Sequence, residues 1–162
     1  MTADADYPRT VHEVRLDICY AVKFYGLHER LYARLDKGIK AIELIAGSGA
    51  FYAVTVGYTG ATKVCALVVT VFALLSLVYD FGGRARDMRG TVRNFLQLLT
   101  EVDRKGATVA SLDKQVAQVG KDAPTTIEGL AKPAYNQNLT SHGFYSAVAP
   151  LSRWERFLQA IA

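Results

Sequence analysis

Polar and apolar positions alternate along this chain in three regimes. From Val11 onward, Val14, Ile18, Ala21, Tyr25, His28, Tyr32, Leu35, Ile39 and Ile42 follow at intervals of 3 or 4. Such a stripe predicts one face of a long helix that seeks a partner helix. The pattern then turns continuous. Between Lys40 and Asp80 only Glu43 and Lys63 carry a formal charge, and Gly57, Tyr58, Thr59 and Gly60 break the apolarity into two runs, Ala41 to Thr59 and Ala61 to Tyr79, each of 19 residues. At about 1.5 Å rise per residue each run spans roughly 28 Å, near the roughly 30 Å hydrocarbon core of a bilayer. The expectation is a membrane hairpin of two helices over residues 41–81. Two core helices of a soluble protein are the alternative, but 162 residues leave few other elements to cover them.

The third regime follows a joint at Asp80, Phe81, Gly82 and Gly83. Here Met88, Val92, Phe95, Leu99 and Val102 again step by 4 and 3. Ile18, Tyr25, Tyr32 and Leu35 of the first stripe and Val92, Phe95 and Leu99 of this one predict the seam of an antiparallel helical stalk, ended by Lys105 and Gly106. Val109, Leu112, Val116 and Val119 predict a shorter helix that folds back on it, and Gly120 to Pro124 a turn. Thr125 with Glu128 has the capping-box pattern and predicts a helix to Ser141, kinked or interrupted by Pro133 and closed by Gly143. Ser152 with Glu155 repeats the signal for a last helix. Its Trp154, Phe157, Leu158 and Ile161 share a face beside Arg153 and Arg156, suited to the bilayer interface or to docking on the stalk. The organisation expected is all-α: residues 1–40 as a cytoplasmic amphipathic helix, 41–81 as the hairpin, and 82–162 as a cytoplasmic helical region. Residues 1–9, polar and containing Pro8, are expected to be loose.

Within the first span, Gly49, Ala53 and Gly57 recur every four residues and form a helix-packing ridge. Ser48, Tyr52, Thr55 and Thr59 form a polar row. Either these hydroxyls bond back to their own helix or across to the second span, or they line a water-filled path in an oligomer. The second span is dominated by Val and Leu, interrupted by Thr70 and Ser76, and reads as lipid-facing. Glu43, in the first turn of the first span, is expected to snorkel or to pair with Arg84 or Arg86. Lys63 is an interface anchor. Lys63, Glu43, Arg84 and Arg86 thus mark the membrane edges.

Charge adds orientation. Lys and Arg number 19 against 15 Asp and Glu, a formal +4 that does not by itself imply a nucleic-acid partner. Arg30, Arg34, Lys37 and Lys40 precede the first span, and Arg84, Arg86, Arg89 and Arg93 follow the second; the turn between holds only Lys63. The positive-inside rule then puts both termini in the cytoplasm. Met1 to Asp6 has neither a basic nor an apolar leader segment, so the hairpin itself is expected to direct insertion. Cys19 and Cys65 fall in the cytoplasm and within a span, which argues against a structural disulfide.

Candidate chemistry is thin. Asp80, Phe81 and Gly82 spell a kinase tripeptide without the glycine-rich and catalytic loops that give it meaning. His12 with Glu13 and His28 with Glu29 each lack a second His four residues after the first, so neither makes a zinc motif, and His28 is expected to be a satisfied core histidine. Gly47, Ser48 and Gly49 make neither a nucleophile elbow nor a phosphate loop. Asn138, Leu139 and Thr140 form a glycosylation sequon, inert on the cytoplasmic side. No catalytic, cofactor-binding or metal site is expected, and no enzyme.

Asp80 to Asp87, reading on to Arg93, Asn94, Phe95, Leu96, Gln97 and Leu98, resembles the juncture of SLATT-type proteins. Asp122, Ala123 and Pro124, followed by Ala134 to Leu139 and Gly143, resembles a second segment of bacterial members. The resemblance implies a small bacterial inner-membrane protein with a long N-terminal helix, two transmembrane helices and a helical C-terminal part. It also implies an effector of conflict or anti-phage systems that oligomerises and breaches the membrane when a nucleotide-linked sensor fires. With no sensor domain in this chain, the trigger is expected to be a separate soluble partner. The expected partners are therefore the lipid bilayer, further copies of the chain and a sensor. A non-conducting adaptor that docks a soluble partner, or a holin or superinfection-exclusion protein, would share the hairpin.

Overall fold

A computed structural model describes residues 9–104 and 108–162. The expected loose N-terminus, apart from Arg9, and the expected helix end at Lys105 and Gly106 lie outside the described residues. Among the described residues every regular element is helical: α1 Val11–Val56, α2 Thr59–Tyr79, α3 Phe81–Val102, α4 Val109–Lys121, α5 Ala131–Ser141 and α6 Arg153–Ile161, with short 3-10 turns at Glu128–Leu130 and Tyr145–Ala147.

The first helix starts at a reciprocal cap that the apolar pattern did not signal. Thr10 Oγ1 accepts from the Glu13 N–H, and Glu13 accepts from the Thr10 N–H at 2.7 Å. From there α1 runs unbroken for 46 residues, roughly 69 Å at the helical rise. It ends where Gly57 turns left-handed at φ 82. The break between the apolar runs is therefore only Gly57 and Tyr58, since Thr59 and Gly60 already belong to α2.

The joint after α2 is tighter than the sequence suggests. Asp80 alone connects α2 to α3, at φ 38 and ψ 57, and Phe81, Gly82 and Gly83 form the first turn of α3. Asp80 Oδ1 accepts from the Gly83 N–H at 2.9 Å, and a Cβ on Gly83 would meet that carboxylate at 2.0 Å. Glycine at 83 is what lets the aspartate cap its own following helix.

Contacts between α1 and α3 run in opposite chain directions. Arg15 pairs with Asp103 at 3.1 Å, Tyr25 stacks on Phe95 at 5.6 Å between ring centroids, Glu29 pairs with Arg89 at 2.7 Å, and Tyr32 meets Phe81 at 6.5 Å. Val14, Ile18, Phe95, Leu98, Val102 and Leu112 form one buried cluster, so α4 lies across the end of the α1 and α3 pair. Of the expected seam, Ile18, Tyr32 and Phe95 are buried, and Tyr25, Val92 and Leu99 are half-buried. Leu35 departs from it and is 37% exposed. It sits about 60° around the helix from Tyr32, which packs against Ala85 and Met88 of α3.

A second face of α1 carries the C-terminal helices. Leu27 and Leu31 are buried with Leu130, Ala134, Leu158 and Ala162. The capping box expected at Thr125 and Glu128 is not formed: residues 128–130 make a 3-10 turn and the helix starts at Ala131. Had the helix begun near residue 126, the Gly129 carbonyl would have needed the N–H that Pro133 lacks. In α5 that proline is the third residue, where no N–H is required, and it causes no kink. Gly143 follows the end of α5 at φ 83, and Ser152 with Glu155 forms the expected cap on α6.

Candidate functional site

The hairpin holds the residues singled out for membrane and assembly roles. Two helices are long and apolar enough to cross a membrane. None of the residues of α2 is buried, and Leu44, Ile45, Phe51, Leu67, Leu77 and Val78 are all more than 60% exposed. Bare apolar surface on this scale is what a soluble fold covers.

The ridge faces α2. Ala53 is buried, and a Cβ added to Gly49 would touch Cys65 Sγ of α2 at 3.4 Å. Small side chains here let the two helices approach within one chain. Gly57 lies outside this ridge: it is the left-handed cap of α1, and its missing Cβ serves the turn.

The polar row divides likewise. Ser48, Tyr52 and Thr55 are exposed on α1. At about 100° per residue they lie within roughly 60° of one another and about 100 to 160° from Ala53, so they point away from α2. Thr55 Oγ1 donates to the Tyr52 carbonyl at 2.7 Å, which satisfies that hydroxyl locally. Thr59 does not belong to this row, because the turn at Gly57 places it at the start of α2.

Glu43 pairs with neither Arg84 nor Arg86. It faces a shallow cleft with Ala73, Ser76, Leu77 and Asp80, and its Oε1 is buried without a hydrogen-bond partner among the described residues. Arg84 is engaged elsewhere, donating from Nε to the Tyr79 carbonyl at 3.1 Å. A cation on the last carbonyls of α2 is where the helix dipole favours it. Arg86 and Lys63 are exposed.

Three buried polar side chains fix the C-terminal region. His28 is fully buried. Its Nδ1 lies 2.8 Å from the Phe24 carbonyl and its Nε2 accepts from the Ile127 N–H at 2.7 Å, which requires the neutral ring with the proton on Nδ1. Burial pushes its pKa below the ordinary value, against the smaller opposing effect of the two backbone hydrogen bonds. Asn136 closes a reciprocal pair with Ala149, Nδ2 donating to the carbonyl at 2.7 Å and Oδ1 accepting from the N–H at 3.0 Å. The sequon asparagine, Asn138, is buried too, and its Nδ2 donates to the Leu16 carbonyl at 3.3 Å.

On α6 the expected apolar face splits. Leu158 docks, while Trp154 and Phe157 stack on one another at 5.5 Å and remain 60% and 53% exposed. No family model, curated protein or solved structure matches the chain.

Proposed function

We propose that the hairpin crosses a bacterial inner membrane with both flanking helical parts in the cytoplasm, and that copies of the chain associate through the polar face of α1 into an assembly that breaches or conducts across the bilayer. The α1 and α3 pair is then a cytoplasmic stalk continuous with the spans. One observation carries the reading: Ser48, Tyr52 and Thr55 sit together on a largely apolar hairpin and turn away from α2, so that in a lone chain they would face lipid. Polar groups at membrane depth face a bundle interior or a water-filled path. A second copy, or a lumen between copies, supplies that surrounding. The basic clusters around Arg34 and Arg84, against the single Lys63 at the turn, support the orientation. The resemblance to SLATT-type proteins supports an effector role with a separate soluble trigger.

Two measurements test this. With Cys19 and Cys65 replaced by Ser, Thr55→Cys should form crosslinked dimers in native membranes. Liposomes holding the unmodified protein should leak a small ion, and the double variant Ser48→Val, Thr55→Val should leak less at equal protein content, because a dewetted lumen raises the barrier. Absence of both dimers and leakage would overturn the assembly reading. The exposed Trp154 and Phe157 pair favours a second reading, a non-conducting adaptor whose α6 docks a soluble protein, and that reading expects dimers or none but no leakage.

A further inference from the structure

Far from the hairpin, α1 and α5 enclose a half-open cleft of about 390 Å³ lined by Leu16, Asp17, Tyr20, Tyr135, Asn138, Leu139, His142 and Phe144. Its lining is aromatic, and nothing in the proposed membrane role uses it. Tyr20 and Tyr135 meet edge to face, with ring centroids 6.4 Å apart and planes at 71°, and Phe144 from the turn after α5 adds a third ring. Asn138, 8% exposed, contributes a carbonyl oxygen that has no hydrogen-bond partner among the described residues.

Charge decides what such a cleft takes. Among the described residues no Lys or Arg lines it, so phosphates and carboxylates find no counter-charge there. Asp17 does line it. Arg9 bonds Asp17 but also reaches Asp113 at 3.0 Å, so the guanidinium is shared between two carboxylates and not committed to Asp17 alone. Aromatic faces attract cations through the ring quadrupole, and adding a carboxylate strengthens the preference.

We propose that this cleft binds a small organic cation of the alkylated-ammonium class, with Tyr20, Tyr135 and Phe144 as cage walls and Asp17 as counter-charge. Tyr20 lies about 32 Å along α1 from Ala41 at the helical rise, beyond the reach of lipid headgroups, so the ligand is a freely dissolved cation. A ligand held there touches both α1 and the turn after α5, and therefore tightens the C-terminal helices onto α1.

Titration calorimetry of the full chain in detergent micelles tests the site with choline and with its neutral isostere carrying tert-butyl in place of trimethylammonium. Choline should bind one to one, and the isostere about tenfold more weakly or worse. A cation on an aromatic face gains about 1 kcal/mol, so Tyr135→Leu and Asp17→Asn should each weaken choline roughly three- to tenfold. Tyr135 and Phe144 are both at least half exposed, so Phe144→Leu repeats the test should Tyr135→Leu disturb the fold. Equal binding of the isostere, no heat with choline, or unchanged affinity in these variants would overturn the proposal.

Discussion

At the scale of single residues, His28 shows how a polar group inside an apolar stripe becomes a clamp. Position alone gave it as a core histidine, and the structure finds it so, with both ring nitrogens satisfied. What position could not give is its partner, because Ile127 lies 99 residues away. The neutral ring is required, so protonation costs the bond to Ile127. Since burial lowers the pKa in the folded chain, the unfolded chain takes up the proton first as pH falls below about 6.5. Folding stability from this group is thus complete above about pH 6.5. Below it, stability falls by up to about 1.4 kcal/mol per pH unit until the folded ring is protonated too. Hydrogen exchange at Ile127, measured between about pH 7.5 and 5, should speed up on acidification relative to helix α3, and His28→Gln should abolish that difference. Asp80 is the second such residue. It is non-glycine at positive φ and caps α3, so Asp80→Ala loses the cap and keeps the strain, and should cost about 1 to 2 kcal/mol; Asp80→Asn should cost less. Chemical denaturation of the purified protein compares them.

At the scale of elements, apolar periodicity carried most of the architecture. It gave α1, the hairpin, α3 and α4, because each buries or exposes a continuous stripe. The α4 stripe of Val109, Leu112, Val116 and Val119 packs against the Val14 and Phe95 cluster. Caps were a less certain guide. The same Ser/Thr to Glu spacing makes a cap at Ser152 and none at Thr125, and the difference is long-range: His28 holds the Ile127 N–H, and Pro133 denies the first turns their ladder. Leu27 and Leu31 sit off the stripe that α3 covers, so the second buried face of α1 was hidden among positions that read as flank. The ridge can be tested directly. Because a Cβ at Gly49 lies 3.4 Å from Cys65 Sγ, Gly49→Cys in an otherwise native chain should oxidise to an intramolecular disulfide with Cys65, seen as a faster monomer band on non-reducing gels. A crosslinked dimer as the main product would instead place the ridge between copies.

At the scale of the whole molecule, two kinds of surface are joined end to end. The half built from α3, α4, α5, α6 and the first part of α1 closes three apolar clusters around its own side chains. The hairpin half closes none, and α2 buries nothing. A single chain with one end packed and the other bare calls for two solvents. At the helical rise the 21 residues of α2 reach about 32 Å, the thickness of a hydrocarbon core, whereas the 16 residues of α1 from Ala41 reach only about 24 Å and would need the turn at Gly57 and Tyr58 or residues before Ala41 to cross it. On the proposed membrane reading, the pairing of α1 with α3 through Glu29 and Arg89 would keep Arg34 and Lys37 of α1 and Arg84 and Arg86 of α3 on the same side of the bilayer. Topology and packing are thus one statement, and labelling tests both. With the native cysteines replaced by Ser, an impermeant maleimide added to cells whose outer membrane has been opened should modify Thr59→Cys, at the exposed turn, and leave Ser111→Cys on α4 untouched until the inner membrane is broken. Labelling of Ser111→Cys with Thr59→Cys protected would invert the orientation, and labelling of both in sealed membranes would mean that the hairpin does not span at all.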